Sequence, residues 1–359
     1  MRLKKLIAIS ICLLIFAAIM QSCQKEKITP DKALSLLPKE SSFVVVIDMQ
    51  KVATTEFYNK MKEDEKRIKG YNEFVEKTGI VPEKDVDKVA IAVGEHMKEK
   101  DGDAVALVFG RFDKEKIITS MKEEAAKEGA EVIAEQYQGQ ELYKVVEGEE
   151  KEEETEELEK SEETEETETQ ETKKKRNNED FRMAFLEEGL IAAGNVNYMK
   201  KLIDLYKGTG ESVEQNEAFM AIIDEANQTD MIWGAGLIPA ELRSQAEENP
   251  MSKSFAAIKS VVFSINLETD LDAFIKMKCD SPENVKNLTD AINGFIALGR
   301  MGATEKPEIM ELLDSITVEG LDDMVSITMH VSKDLILQLS EEAIGKKDKE
   351  EMEQEPKKE

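Results

Sequence analysis

Cysteine, histidine and tryptophan are scarce in this chain. Its 359 residues hold three Cys, two His and one Trp. Cys12 and Cys23 lie close to the N-terminus and Cys279 stands alone in the body. No disulfide can staple that body, so its folding has to rest on a hydrophobic core. Cationic residues are also in deficit. Lys and Arg number 48 against 76 Asp and Glu, a net charge of −28. Such an excess argues against nucleic acid as a partner and against electrostatic docking on anionic lipid. The N-terminal apolar run, Leu6 to Ile19, is short of the roughly 20 residues a spanning helix needs.

Catalytic patterns are equally thin. A metal site would need His96 and His330 together with carboxylates, yet His96 falls in an expected hairpin loop and His330 at an expected strand end. Asp101-Gly102-Asp103 is too short for a calcium loop. Gly234-Ala235-Gly236 lacks the third glycine of a dinucleotide fingerprint, and no phosphate-binding Lys follows it. There is no Gly-x-Ser-x-Gly elbow. Cys279, at a strand end before a helix, is either a partly activated thiol or a buried structural one. Trp233 is expected in the core. No catalytic residue, cofactor site or metal site is assigned from these residues, and a hydrolase has the least support.

What is present begins at the N-terminus. Arg2, Lys4 and Lys5 precede the apolar run, which ends Ile19-Met20-Gln21-Ser22-Cys23. This resembles a bacterial lipoprotein signal, with small Ser22 before the Cys that is invariant in that family. Met20 stands where Leu is preferred, and Gln21 where a small residue is usual. The resemblance covers about two dozen residues. It implies cleavage before Cys23, lipidation of Cys23 with acyl chains such as palmitate, and attachment to a membrane of the bacterial cell envelope. The same segment is compatible with an ordinary secretory signal or an uncleaved anchor.

The body is organised around Asp87 to Gly129. Val89–Val93 and Ala104–Phe109 are short β-branched runs ending at glycines, which predicts an antiparallel hairpin. Asp113 is an N-cap for a helix whose apolar positions are Ile117, Ile118, Met121 and Ala125, stopped at Gly129. A looser copy recurs from Ser260 to Gly299. Two strands there, Val261–Leu267 and Leu271–Met277, precede Ser281 with Pro282 at the first helical position. Val285, Leu288, Ile292 and Phe295 then make one stripe. Further strands are expected at Phe43–Ile47, Val132–Tyr137, Leu142–Val146, Phe181–Leu186, Leu190–Ala193, Met231–Leu237, Ile316–Val318 and Met324–His330. Helices capped at Asn195 or Asn197 and at Ser332 close the two halves. Thr54 to Thr78 is expected to be helical with a break near Gly70.

Between Glu147 and Glu171 lie 15 Glu and a single apolar residue, Leu158. Such a run buries too little to offset its ordering entropy, so a solvated insertion is expected. The phrases Leu36-Leu37-Pro38, Pro82-Glu83-Lys84-Asp85-Val86-Asp87 and Gly110-Arg111-Phe112-Asp113 resemble bacterial envelope proteins of uncharacterised, domain-of-unknown-function type. That resemblance implies an exported α+β protein and supplies no activity.

The expected fold class is therefore α+β, with two related halves. Each half is a mainly antiparallel sheet with packed helices, and the halves either share one sheet or form two lobes. The expected divisions are a signal peptide over 1–22, a tether over 23–30, a first half over 31–208 and a second over 209–345. Residues 147–179 form an acidic disordered insertion in the first half, and 346–359 a charged tail. The leading functional expectation is a lipid-anchored, non-catalytic protein facing the periplasm or cell surface, which binds an envelope protein or has a structural role. The alternative is a carrier of an apolar ligand or lipid, with Met199, Met220, Met301 and Met310 lining an adaptable pocket. A large apolar cavity would favour the carrier, and a flat apolar patch the partner-binding reading.

Overall fold

The structure, a computed structural model, describes residues 28–62, 65–94, 103–147, 180–248 and 253–341, with the backbone alone at 65–68 and 248. Cys23, His96, Asp101, Gly102 and almost all of the acidic run lie outside those residues. The strands are β1 (Ser41–Asp48), β2 (Val86–Gly94), β3 (Ala104–Gly110), β4 (Ala130–Tyr137), β5 (Gln140–Glu147) and β6 (Phe181–Glu187). They continue with β7 (Leu190–Asn195), β8 (Ile232–Leu237), β9 (Ile258–Asn266), β10 (Leu271–Cys279), β11 (Ile316–Leu321) and β12 (Met324–Val331). The helices are α1 (Met49–Val52), α2 (Glu56–Met61), α3 (Glu65–Thr78), α4 (Pro82–Asp85) and α5 (Lys114–Lys127). After them come α6 (Val196–Tyr206), α7 (Glu217–Ile223), α8 (Ala240–Glu248), α9 (Pro282–Gly302) and α10 (Pro307–Asp314), and residues 333–341 are also helical.

All twelve strands join one antiparallel sheet in the order β11-β12-β10-β9-β8-β1-β2-β3-β7-β6-β5-β4. The architecture is thus mixed, with a large antiparallel sheet and packed helices. The seam is β1 against β8, with Val45 opposite Gly234. Counted outward from it, the strands run β1, β2, β3, β7, β6 on one side and β8, β9, β10, β12, β11 on the other. The β4–β5 hairpin extends only the first side. One unbroken row crosses the whole sheet: Ala134, Tyr143, Met183, Ala193, Ala106, Ile91, Val45, Gly234, Phe263, Ile275, Ile327, Val318. The row shows that one side-chain parity holds from edge to edge, so the sheet has two continuous faces.

The face carrying Val44 and Val46 holds the larger core. Ala184, Ala192, Leu107, Ala90, Val46 and Trp233 lie on it in register and are all buried. Over them pack Tyr198, Met199, Leu202 and Ile203 of α6, Phe219 and Ile223 of α7, and Leu36 and Leu37 at the end of the 3-10 turn Pro30–Leu36. Residues on both sides of Thr209 share this core: Val213 and Phe219 pack with Val44, and the Val213 N–H donates to the Leu37 carbonyl at 2.8 Å. Helix α6 is amphipathic at a 3.6-residue period, which is why a single face of it can be fully buried.

The face carrying Val45 is covered mainly towards its ends. At one end α9 lays Val285 and Leu288 on Met277 and Val325, with Cys279 and Ile258, to make a small second core. At the other, Ile117 and Ala125 of α5 are buried, and α5 shares a groove with Phe74 of α3 and Val145 of β5. Both helices begin at the caps read from sequence. The Asp113 carboxylate accepts from the Lys116 N–H at 3.0 Å, and the Ser281 hydroxyl oxygen from the Asn284 N–H at 3.3 Å.

Two local expectations change. The helix does not break at Gly70, which sits inside α3 with open space around it; α2 ends at Met61 and α3 is helical from Glu65. Asn195 occupies the N-cap of α6, but its side chain makes no capping bond there; its Oδ1 accepts from the Ala104 N–H on β3 at 3.1 Å.

Candidate functional site: the half-buried strand face

The feature that distinguishes this sheet is the middle of its Val45 face. β2, β1, β8 and β9 present Val89, Ile91, Val93, Phe43, Val45, Ile47, Ile232, Phe263 and Ile265 to one side. Each is half-buried and belongs to neither core. Ile275, next in the row on β10, is 37% exposed. No charged side chain interrupts the registered rows of these four strands on this face. Together they make one apolar stretch, the floor, across four neighbouring strands, about 4.8 Å apart.

β9 shows the inversion most clearly. From Ser260 to Ile265 its buried positions are Ser260, Val262 and Ser264, and its partly buried positions are Val261, Phe263 and Ile265, while Ile258 at its start is buried in the second core. An alternating strand ordinarily turns its polar residues to water. Here Ser264 is sealed at 1% exposure, with its hydroxyl donating to the Asp230 carboxylate, while its phenylalanine neighbour stays partly wet.

The glycines of β8 shape the floor. The Phe43 and Phe263 rings lie stacked, with centroids 6.3 Å apart and planes 20° from parallel. A Cβ added at Gly236 would sit 2.1 Å from the Phe43 ring, and one at Gly234 would sit 2.4 Å from the Phe263 ring. Gly234-Ala235-Gly236 is therefore a strand segment whose missing side chains leave room for the two aromatic rings.

Perturbed titratable groups lie elsewhere. The Tyr71 hydroxyl donates to the Glu83 carboxylate, at 2.8 Å and 2.9 Å to its two oxygens, and Lys62 pairs with the same carboxylate. Burial, then the bond to Glu83, pushes Tyr71 up to about 12. Burial alone would raise Glu83, but hydrogen bonds from Lys62 and Tyr71 outweigh it and hold the carboxyl below its ordinary value. With the Lys62 ammonium over the Tyr71 ring at 4.8 Å, the cluster ties α2, α3 and α4 together. Arg182 of β6, at 6% exposure, reaches over β5 to pair with Glu135 of β4 at 2.7 Å. None of these groups opens onto the floor with a nucleophile beside a base.

The residues singled out in the sequence do not converge. His330 is exposed on β12 with its Nδ1 2.7 Å from Asp272 and its Nε2 3.9 Å from Asp270. Among the described residues no group of three or more His, Cys, Asp or Glu is placed to hold a metal ion. Cys279 is buried, and burial followed by Asp280 and Asp323 pushes its thiol up, away from activation. Trp233 is in the larger core. Met199 is fully buried, Met220 packs against the same core and Met301 is 75% exposed, so the methionines share no pocket. Among the described residues no helix is long and apolar enough to cross a membrane. The floor itself was missed in the sequence; the signal for it was the alternation of β9, whose apolar half was not assigned a side.

No protein-family model matches the chain, and no curated protein matches it. A solved structure titled "Structure of crystal form I of TP0453" superposes with a TM-score of 0.42 at 7% identity, over 87% of this chain and 96% of that one.

Proposed function

We propose that this is a non-catalytic cell-envelope protein, anchored through lipid on Cys23, which binds another envelope protein on the Val45 face of β2, β1, β8 and β9. The observation that carries this reading is the alternation of β9, with Phe263 and Ile265 only partly buried while Ser264 is sealed. Apolar side chains left partly exposed over four strands are a cost that association relieves. The registered rows of the floor carry no charge, so the partner it fits presents an uncharged apolar surface, such as one face of a sheet or an amphipathic helix. A carrier would enclose its apolar ligand, and two of the methionines expected to line such a pocket lie apart, Met199 in the larger core and Met301 75% exposed. Affinity capture from detergent-solubilised envelopes tests the proposal, with mass spectrometry of proteins and lipids. One protein retained by the natural chain and lost from Ile91→Thr/Phe263→Thr supports it. Retention of lipid alone supports the carrier in its place.

We also infer that the sheet grew by duplication, the halves meeting at the β1–β8 seam. The support is the repeated strand order and the helix following β3 and β10, capped by Asp113 and Ser281. The other support is that α5 and α9 cover the same face. Superposing residues 88–128 on 260–298 decides it: both strands and the helix should match in one orientation, and helices on opposite faces would end the idea.

A further inference from the structure

We draw no further inference here: the strongest candidate, the apolar groove between α3 and α5 lined by Phe74, Ile117, Met121 and Val145, carries no proposal because nothing in the structure shows what covers it.

Discussion

The two faces of this sheet are made from the same strands and are covered very differently. On the Val44 face, Tyr198, Met199, Leu202 and Ile203 of α6 are fully buried against residues that are themselves sealed. On the Val45 face, α3 buries nothing among its described side chains, and α9 leaves half its length in water. Between those helices the strands keep β-branched and aromatic residues partly wet. The comparison separates two roles that a single core would combine. The Val44 face supplies most of the burial that holds the sheet together, so the Val45 face is free to carry the apolar surface proposed above to bind a partner.

Substitutions on the two faces should therefore behave differently. The largest effect belongs to Leu202→Ala on the buried face, which should cost about 2–5 kcal/mol in chemical denaturation because the site cannot collapse around the void. Partner capture per folded molecule should stay unchanged. Gly236→Val comes next. Its Cβ meets the Phe43 ring at 2.1 Å, so the ring has to move, and overpacking of this kind costs about 1–3 kcal/mol. Capture should fall as well, since the Phe43–Phe263 stack is part of the floor.

Ile91→Thr sharpens the comparison further. The side chain is half-buried in neither core, so stability should change by about 1 kcal/mol or less while capture is lost. A stability loss as large as that of Leu202→Ala would show the Val45 face to be a core after all.

The smallest effect is electrostatic. The hydrogen bond to Asp272, and then that residue's charge, raise the exposed His330 imidazole above its ordinary value of 6.5. The folded state favours the protonated ring, so its contribution is complete below about pH 6.5 and disappears as pH rises through the higher folded value. A thermal-melting series should show a slight loss of stability across that window, absent in His330→Gln.

Strand positions and caps were legible because they are local. Alternation, glycines and the Asp113 and Ser281 caps each act within a few residues. The seam was not legible, because Val45 and Gly234 are brought together only by the fold, and short apolar runs pair with many partners equally well. The site was hidden for a related reason. Alternation divides β9 into Ser260-Val262-Ser264 and Val261-Phe263-Ile265, but it does not say which set meets α7. The ordinary assumption seals the apolar set, and here the sealed set includes the two serines. The α3 break was misplaced at Gly70 because a glycine in an exposed helix costs only about 1 kcal/mol and does not by itself end one.

Site-specific photo-crosslinking in cells is the most direct measurement of whether the Val45 face is a binding surface. A photoreactive residue would replace Phe43, Phe263 or Ile275 on that face, and Ile133 or Val146, exposed apolar positions on the other face of the β4–β5 hairpin. The account predicts one protein adduct of the same mass from the first three positions and none from the last two. The same adducts from all five positions, or none from Phe263, would contradict it.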